Sequence, residues 1–223
     1  MSGIKKIGVF GGTFDPPHSG HLKIIKESLI QLGLDRLYVV VSGDPWMKRD
    51  RVVANKHQRQ EMIEIALADD IYNDYKKVCL LKFEINKDSP SYSYQTLEYL
   101  KGQGNINDFY FIVGSDAALT MDKWKRPLNI LSFSKIVCVP RDGISNKIVK
   151  NKLLEIHPQA QIHFLKNVDE KISSTTIKGF ITLGGTFDEN SYLTLSTNAP
   201  LSGHLQYLNK NVYTYILKNK IYL

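Results

Sequence analysis

The stretch KKIGVFGGTFDPPHSGHL, residues 5–22, decides how the rest of the chain is read. It opens as a short apolar run of the kind that forms a buried strand, and Gly11–Gly12 then lets the backbone turn tightly. From His18 the apolar residues recur at helical spacing as far as Gly33, a residue suited to closing a helix. A strand that turns sharply into a helix offers backbone N–H groups and a positive helix end, which together bind anions. Neither GxxxxGK[ST] nor GxGxxG occurs here, so the turn is not one of the two commonest phosphate loops. Instead the helix opens on His18 and His21, three residues apart and therefore on one face. Imidazoles so placed can donate to phosphoryl oxygens as charge develops, the kind of stabilisation that phosphoryl-type transfer chiefly needs. The plainer alternative is a turn followed by two helix-capping histidines.

Outward from this stretch, short apolar runs alternate with segments of helical period. Residues 36–43, 77–85, 108–114, 134–140 and 160–166 read as strands. Helices are expected at about 55–69, 91–104, 146–157 and 174–184, with one or two short ones within 115–133 and a last one in the C-terminal tail. This alternation predicts βαβ crossovers: an α/β fold, Rossmann-like and doubly wound, with a mainly parallel sheet covered by helices on both faces. Ligands in such folds bind at the carboxyl ends of the strands, where strand order reverses. No low-complexity linker or long-period repeat divides the chain, so residues 1–223 read as a single domain whose C-terminal helical portion begins near residue 172. The irregular stretch at about 183–203, rich in Gly, Ser, Thr and Asn, reads as a loop insertion. It contains a second GGTFD at 184–188, with SGHL following at 202–205. This copy follows a helix-like segment and has Leu201 where the first copy has its first histidine, so it reads as a chance echo.

A hydrophobic content of 43% and a charged content of 23% are those of an ordinary soluble globular protein. No apolar run approaches the roughly 18 residues of a membrane span, and the N-terminus lacks a signal-peptide core. Cys79 and Cys138 lie in strand-like stretches and read as buried free thiols, in keeping with a reducing cytoplasm. The net charge of +7 is largely scattered lysine, apart from a denser cluster of Lys48, Arg49, Arg51, Lys56 and Arg59. That cluster lacks the interleaved aromatics of a nucleic-acid surface and is a candidate polyphosphate contact. His57, His157, His163 and His204 have no paired partner and read as surface or satisfied core residues. No set of His, Cys or carboxylates has metal-site spacing.

GGTFDPPHSGHL resembles the signature of the α/β-phosphodiesterase nucleotidylyltransferase superfamily, a Gly-Gly-x-Phe turn followed by His-x-Gly-His. ISSTTIK at 172–178 resembles that family's Ile-Ser-Ser-Thr-x-Ile-Arg element, and a serine cap with free hydroxyls at a helix start suits anion binding. Three further elements resemble the bacterial nicotinate-nucleotide adenylyltransferases: SPSYSYQTLEYL at 89–100, FIVGSDAALTMDKW at 111–124, and PWMK at 45–48 followed by Arg59 and Met62. The resemblance implies His18 and His21 as catalytic residues. It implies Gly11, Gly12, Thr13, Phe14, Lys48, Gly114, Asp116, Ser173, Ser174, Thr175 and Lys178 as contacts for ATP and its phosphates. Tyr92, Ser93, Trp124 and Arg141 would meet the pyridine nucleotide, Trp124 by stacking on its ring. The departures are Ser93 for Thr, Trp46-Met47 for Pro-His, Lys178 for Arg, and the long 183–203 segment.

The activity so implied is transfer of AMP from ATP to nicotinate mononucleotide, giving deamido-NAD and pyrophosphate, with Mg²⁺ held mainly through phosphates. Partners are then ATP and nicotinate mononucleotide, with neither nucleic acid nor membrane. The alternatives are a nucleotidylyltransferase acting on nicotinamide mononucleotide, phosphopantetheine, glycerol phosphate or flavin mononucleotide, a basic nucleic-acid-binding protein, and a non-catalytic ATP-binding regulator.

Overall fold

The computed structural model describes residues 4–68, 75–103, 107–141, 143–168, 172–187, 193–194 and 207–223. The chain divides into two compact units, each gathered from separate stretches. The first comprises Met1–Gly12, Ile24–Trp46 and Lys76–Asp169, and the second Thr13–Lys23, Met47–Tyr75 and Glu170–Leu223.

The first unit holds a six-stranded sheet of β1 (Lys5–Gly12), β2 (Arg36–Val41), β3 (Val78–Leu80), β4 (Asn107–Gly114), β5 (Lys135–Val139) and β6 (Ile162–Phe164). Its order is β3-β2-β1-β4-β5-β6 and every neighbouring pair is parallel. The order reverses between β1 and β4, so right-handed crossovers run in opposite directions and place helices on both faces. This is the doubly wound α/β fold expected from the alternation. Val9, Val39, Val40, Phe111, Ile112, Ile136 and Val137 are all buried, as strands covered on both faces require. One core cluster joins Val9, Phe111 and Ile136 to Leu97 and Leu100 of α3 (Ser93–Lys101), Ala118 of α4 (Ser115–Leu119), Ile130 of α5 (Pro127–Phe133), and Val149 and Leu153 of α6 (Asn146–Ile156). The helix α1 (Ser19–Leu32) begins among residues of the second unit, continues into the first, and closes at Gly33 with φ +60.

The second unit contains α2 (Lys56–Ala68), α7 (Ser174–Thr182) and α8 (Lys210–Lys218). Met62, Ile63 and Ala66 of α2 and Val212, Tyr213 and Ile216 of α8 are buried. Asn209 caps α8, its side-chain oxygen accepting from the N–H groups of Asn211 and Val212.

Three expectations change. The strand read at 77–85 stops at Leu80, and residues 82–86 form a turn with the Asn86 N–H on the Lys82 carbonyl. The cause is Glu84, whose carboxylate faces inward and accepts from the Thr96 hydroxyl at 2.6 Å. The second GGTFD is not simply loop, because β7 (Thr186–Phe187) pairs antiparallel with β8 (Leu193–Thr194). Residues 188–192 and 195–206, with the second SGHL and His204, lie outside the described residues. Both cysteines are free, but only Cys138 is buried. Burial pushes the Cys138 thiol up to about 12, whereas Cys79 on the edge strand is half-buried. Among the described residues no helix is long and apolar enough to cross a membrane.

Candidate active site

β1 delivers the turn. Gly11 is exposed, and a side-chain carbon added there would meet nothing within 4 Å. Two residues past the strand, Phe14 adopts φ 52 although it is fully buried, a left-handed conformation that costs a bulky residue roughly 1–2 kcal/mol. Its ring packs edge-on against the His21 imidazole, with centroids 4.9 Å apart. His18 is buried and sits immediately before α1, its carbonyl accepting from the His21 and Leu22 N–H groups. The His18 N–H donates to Nδ1 of His21 at 3.1 Å, and the two rings lie 3.7 Å apart. An accepting Nδ1 means that neutral His21 carries its proton on Nε2, which is then a donor. Gly20 is explained by the pair: a Cβ there would stand 3.0 Å from Nδ1 of His18 and 3.4 Å from Ile172. The space that the glycine leaves is taken by His18 itself.

Behind the turn, Asp15 is the hub of a buried network that reaches distant parts of the sequence. It accepts from the Val53 N–H at 3.0 Å, the Ala54 N–H at 3.1 Å, Lys178 Nζ at 2.9 Å and the Tyr222 hydroxyl at 2.6 Å. Burial alone would raise the Asp15 carboxyl, but these donors outweigh it and hold the group below the ordinary aspartate value. Burial, followed by the Asp15 charge, pushes the Tyr222 hydroxyl upward. Arg59, 1% exposed, donates to the carbonyls of Ala54 and Thr13 at 3.1 and 2.9 Å. Burial lowers its guanidinium pKa, with Asp15 and Tyr222 opposing.

The expected phosphate contacts fall into three groups. Ser173 caps α7, its hydroxyl accepting from the Thr176 N–H at 3.1 Å. Ser174 and Lys178 are tied to the turn: the Ser174 hydroxyl donates to the Pro16 carbonyl at 2.8 Å, and Lys178 spends a second donor on the Arg51 carbonyl at 2.6 Å. Lys48 and Thr175 are exposed. Asp15 and Tyr222 are not among the site residues that the sequence suggests, and Arg59, expected in the basic cluster as a polyphosphate contact, is instead buried with its donors on the Ala54 and Thr13 carbonyls. Arg59 carried a signal, since it shares the face of α2 that holds Met62, Ile63 and Ala66, where a cation must be paired. Tyr222 carried none.

The first unit assembles a second group at the carboxyl end of its sheet. Gly114 ends β4 and starts α4, and a Cβ there would collide with the Asp116 carboxylate. Arg141 Nε lies 4.0 Å from Asp116, with both side chains largely exposed, a pairing that leaves both accessible and adds little stability. Tyr92 and Ser93, at the start of α3, are half-buried. Trp124 is also half-buried, edge-on to Phe111 at 6.2 Å, and its indole N–H is buried without a partner among the described residues. Among the described residues no three His, Cys, Asp or Glu side chains are placed to hold a metal ion.

Fold and turn together define the class: a doubly wound α/β protein of the nucleotide-binding kind, with paired histidines following its first strand. A family model described as cytidylyltransferase-like matches residues 9–180. A probable nicotinate-nucleotide adenylyltransferase of Clostridium acetobutylicum is 33% identical, the alignment covering 99% of this chain and 100% of that protein. Another from Clostridium novyi is 34% identical, covering 80% of this chain and 88% of its own. Among solved structures, a Plasmodium falciparum nicotinic acid mononucleotide adenylyltransferase complexed with NaAD matches with a TM-score of 0.74 at 18% identity, over 98% of this chain and 97% of that one. At that identity the likeness is one of fold. The chain belongs to the cytidylyltransferase-like family, among its nicotinate-nucleotide adenylyltransferases.

Proposed function

We propose that the chain transfers AMP from ATP to nicotinate mononucleotide, forming deamido-NAD and pyrophosphate in NAD biosynthesis. The observation that carries this reading is the histidine pair, fixed to each other by the His18 N–H on His21 Nδ1 and to the turn by the Phe14 ring against His21. An oxygen of the mononucleotide 5′-phosphate forms the new bond to the α-phosphorus of ATP. The bond from that phosphorus to the oxygen bridging to the β-phosphate breaks, and pyrophosphate leaves with the electron pair. Both reactants bring their reacting groups, so the protein's work is positioning and charge neutralisation rather than covalent catalysis. His18 and the Nε2–H of His21 supply donors for oxygens that gain charge in the transition state. Backbone at Gly11–Phe14 and the side chains of Lys48, Ser173, Thr175 and Lys178 serve the phosphates of ATP. Gly114 and Asp116 also serve ATP, and Tyr92, Ser93, Trp124 and Arg141 serve the pyridine nucleotide.

Mg²⁺ would be part of the ATP substrate, held mainly through the phosphates. The donor set fits that role, because the one carboxylate of the turn, Asp15, is already engaged by Tyr222, Lys178 and two backbone N–H groups.

The test is pyrophosphate release and dinucleotide formation from Mg-ATP with nicotinate mononucleotide, nicotinamide mononucleotide, phosphopantetheine and flavin mononucleotide offered separately. Product from nicotinate mononucleotide is expected, and its absence overturns the assignment. His18→Ala is expected to lower kcat by about 10² or more with ATP affinity largely kept. Unchanged turnover would remove His18 from the mechanism.

A further inference from the structure

We propose that Trp46 is a further contact for the pyridine ring of the acceptor, set beside Tyr92 by a half-buried polar clamp; this rests on the acceptor reading above. Trp46 stands in the loop after β2, at a position to which the family resemblance assigns nothing, since the related stretch has proline there. The Ser91 hydroxyl accepts from the N–H groups of Gly43 at 2.9 Å and Asp44 at 3.3 Å, and the Ser91 N–H donates to the Asp44 carbonyl at 2.9 Å. The same hydroxyl bonds to the carboxylate of Glu84, which is 7% exposed and also accepts from Thr96 of α3. Gly43 completes the closure, because a Cβ there would collide with the Glu84 carbonyl oxygen.

The clamp fixes two aromatic residues at short offsets: Tyr92 directly follows Ser91, and Trp46 lies two residues past Asp44. Their ring centroids are 6.1 Å apart at an interplanar angle of 55°. Tyr92 is backed by Tyr94 at 6.1 Å and 24°, and the Arg126 guanidinium lies 4.9 Å from the Tyr94 ring. A separation of 6.1 Å is too small for a third ring to enter between Trp46 and Tyr92. The pair instead forms a corner, in which a flat heteroaromatic stacked on one ring meets the edge of the other, a favoured aromatic geometry. Trp46 is 38% exposed, unusual for the largest apolar side chain, and the corner accounts for it as a surface that waits for a planar partner. An electron-poor pyridine ring suits an electron-rich indole.

The chain has two tryptophans, Trp46 and Trp124, so each can be read alone. Indole emission is titrated with nicotinate mononucleotide, without ATP, in the wild type, Trp46→Phe and Trp124→Phe. Steady-state kinetics are measured for the wild type, Trp46→Ala and Trp46→Phe. Trp124→Phe, whose only indole is Trp46, is expected to change its emission on titration. Trp46→Ala is expected to raise KM for nicotinate mononucleotide about tenfold, and Trp46→Phe to recover most of the loss. KM for ATP should stay within about twofold in both variants, as expected of a residue that meets only the acceptor. A wild-type KM for nicotinate mononucleotide in Trp46→Ala, or an indole in Trp124→Phe that stays unresponsive at nicotinate mononucleotide well above that variant's own KM, overturns the proposal while a wild type that forms dinucleotide leaves the enzyme's assignment standing. A wild type that forms no dinucleotide overturns both.

Discussion

Tyr222→Phe isolates one bond of the network behind the turn that follows β1. The hydroxyl reaches Asp15 at 2.6 Å, within the range of a charge-assisted O–H···O⁻ bond, and both residues are buried. Phenylalanine fills the same volume, so no cavity is expected. A hydrogen bond to a charged group contributes about 1.5–3 kcal/mol, and Asp15 keeps the Lys178 and backbone donors, which points to the lower end, about 1.5–2 kcal/mol near neutral pH. The pH dependence gives the sharper signature. Asp15 is held below its ordinary value, so the stability it supplies is present above the unfolded pKa of about 3.9 and is lost as pH falls through the folded value. Tyr222 is held above its ordinary value, so its contribution is present below about pH 10 and is lost as pH rises, by up to about 1.4 kcal/mol per pH unit. The gap between wild type and variant is therefore widest at about pH 5–9 and narrows toward both extremes. Both tryptophans belong to the first unit, whereas Tyr222 and Asp15 belong to the second. Urea unfolding is accordingly followed by far-UV circular dichroism rather than indole emission. A difference below about 0.5 kcal/mol at pH 7, or one flat from about pH 3 to 10.5, would refute the reasoning.

The remaining predictions separate steric from chemical roles. Gly20→Ala gains helix propensity while pressing on the His18 ring, so stability should change by less than about 1 kcal/mol and kcat should fall about tenfold or more; equal kcat would show that the ring tolerates displacement. Gly11→Ala meets no protein atom within 4 Å, so unfolding should shift by under about 0.5 kcal/mol while KM for ATP rises; an unchanged KM removes Gly11 from nucleotide contact. Burial raises the Glu84 carboxyl, with Thr96, Ser91 and Lys87 opposing, so the folded state holds its proton to higher pH than the unfolded chain. Wild-type stability should therefore fall relative to Glu84→Gln as pH rises from about 4.3 through the folded value, and parallel stability curves for the two proteins would contradict this.

What the sequence disclosed is what local spacing can encode. The order of strands and helices follows from periodicity, and the histidine pair needs only a three-residue interval and a helix start, so both were readable. The failures have physical causes. The strand read at 77–85 ends early because Glu84 satisfies its charge inward on Thr96, twelve residues on, and periodicity holds no record of such a partner. Cys79 read as buried because its run is apolar, but its strand is three residues long and lies at the sheet edge.

The site divides along the same line. Residues proposed to meet the ligand stand in short patterns: His18 with His21, Ser173 with Thr175. Residues that hold those in place need only reach them in space. Tyr222 reaches Asp15 from 207 residues away and Lys178 from 163, and no spacing rule connects them. Lys178 shows why the distinction matters. Standing where the resembling family has arginine, it offers phosphate a charge without the bidentate fork of a guanidinium. With one donor on Asp15 and another on the Arg51 carbonyl, it also joins the basic loop to the turn that follows β1, and a third donor is left for phosphate. An ammonium, whose donors point in separate directions, spans a carboxylate and a carbonyl from different segments as well as a planar fork does. The substitution therefore bears first on how firmly the turn is held, and through the turn on the nucleotide.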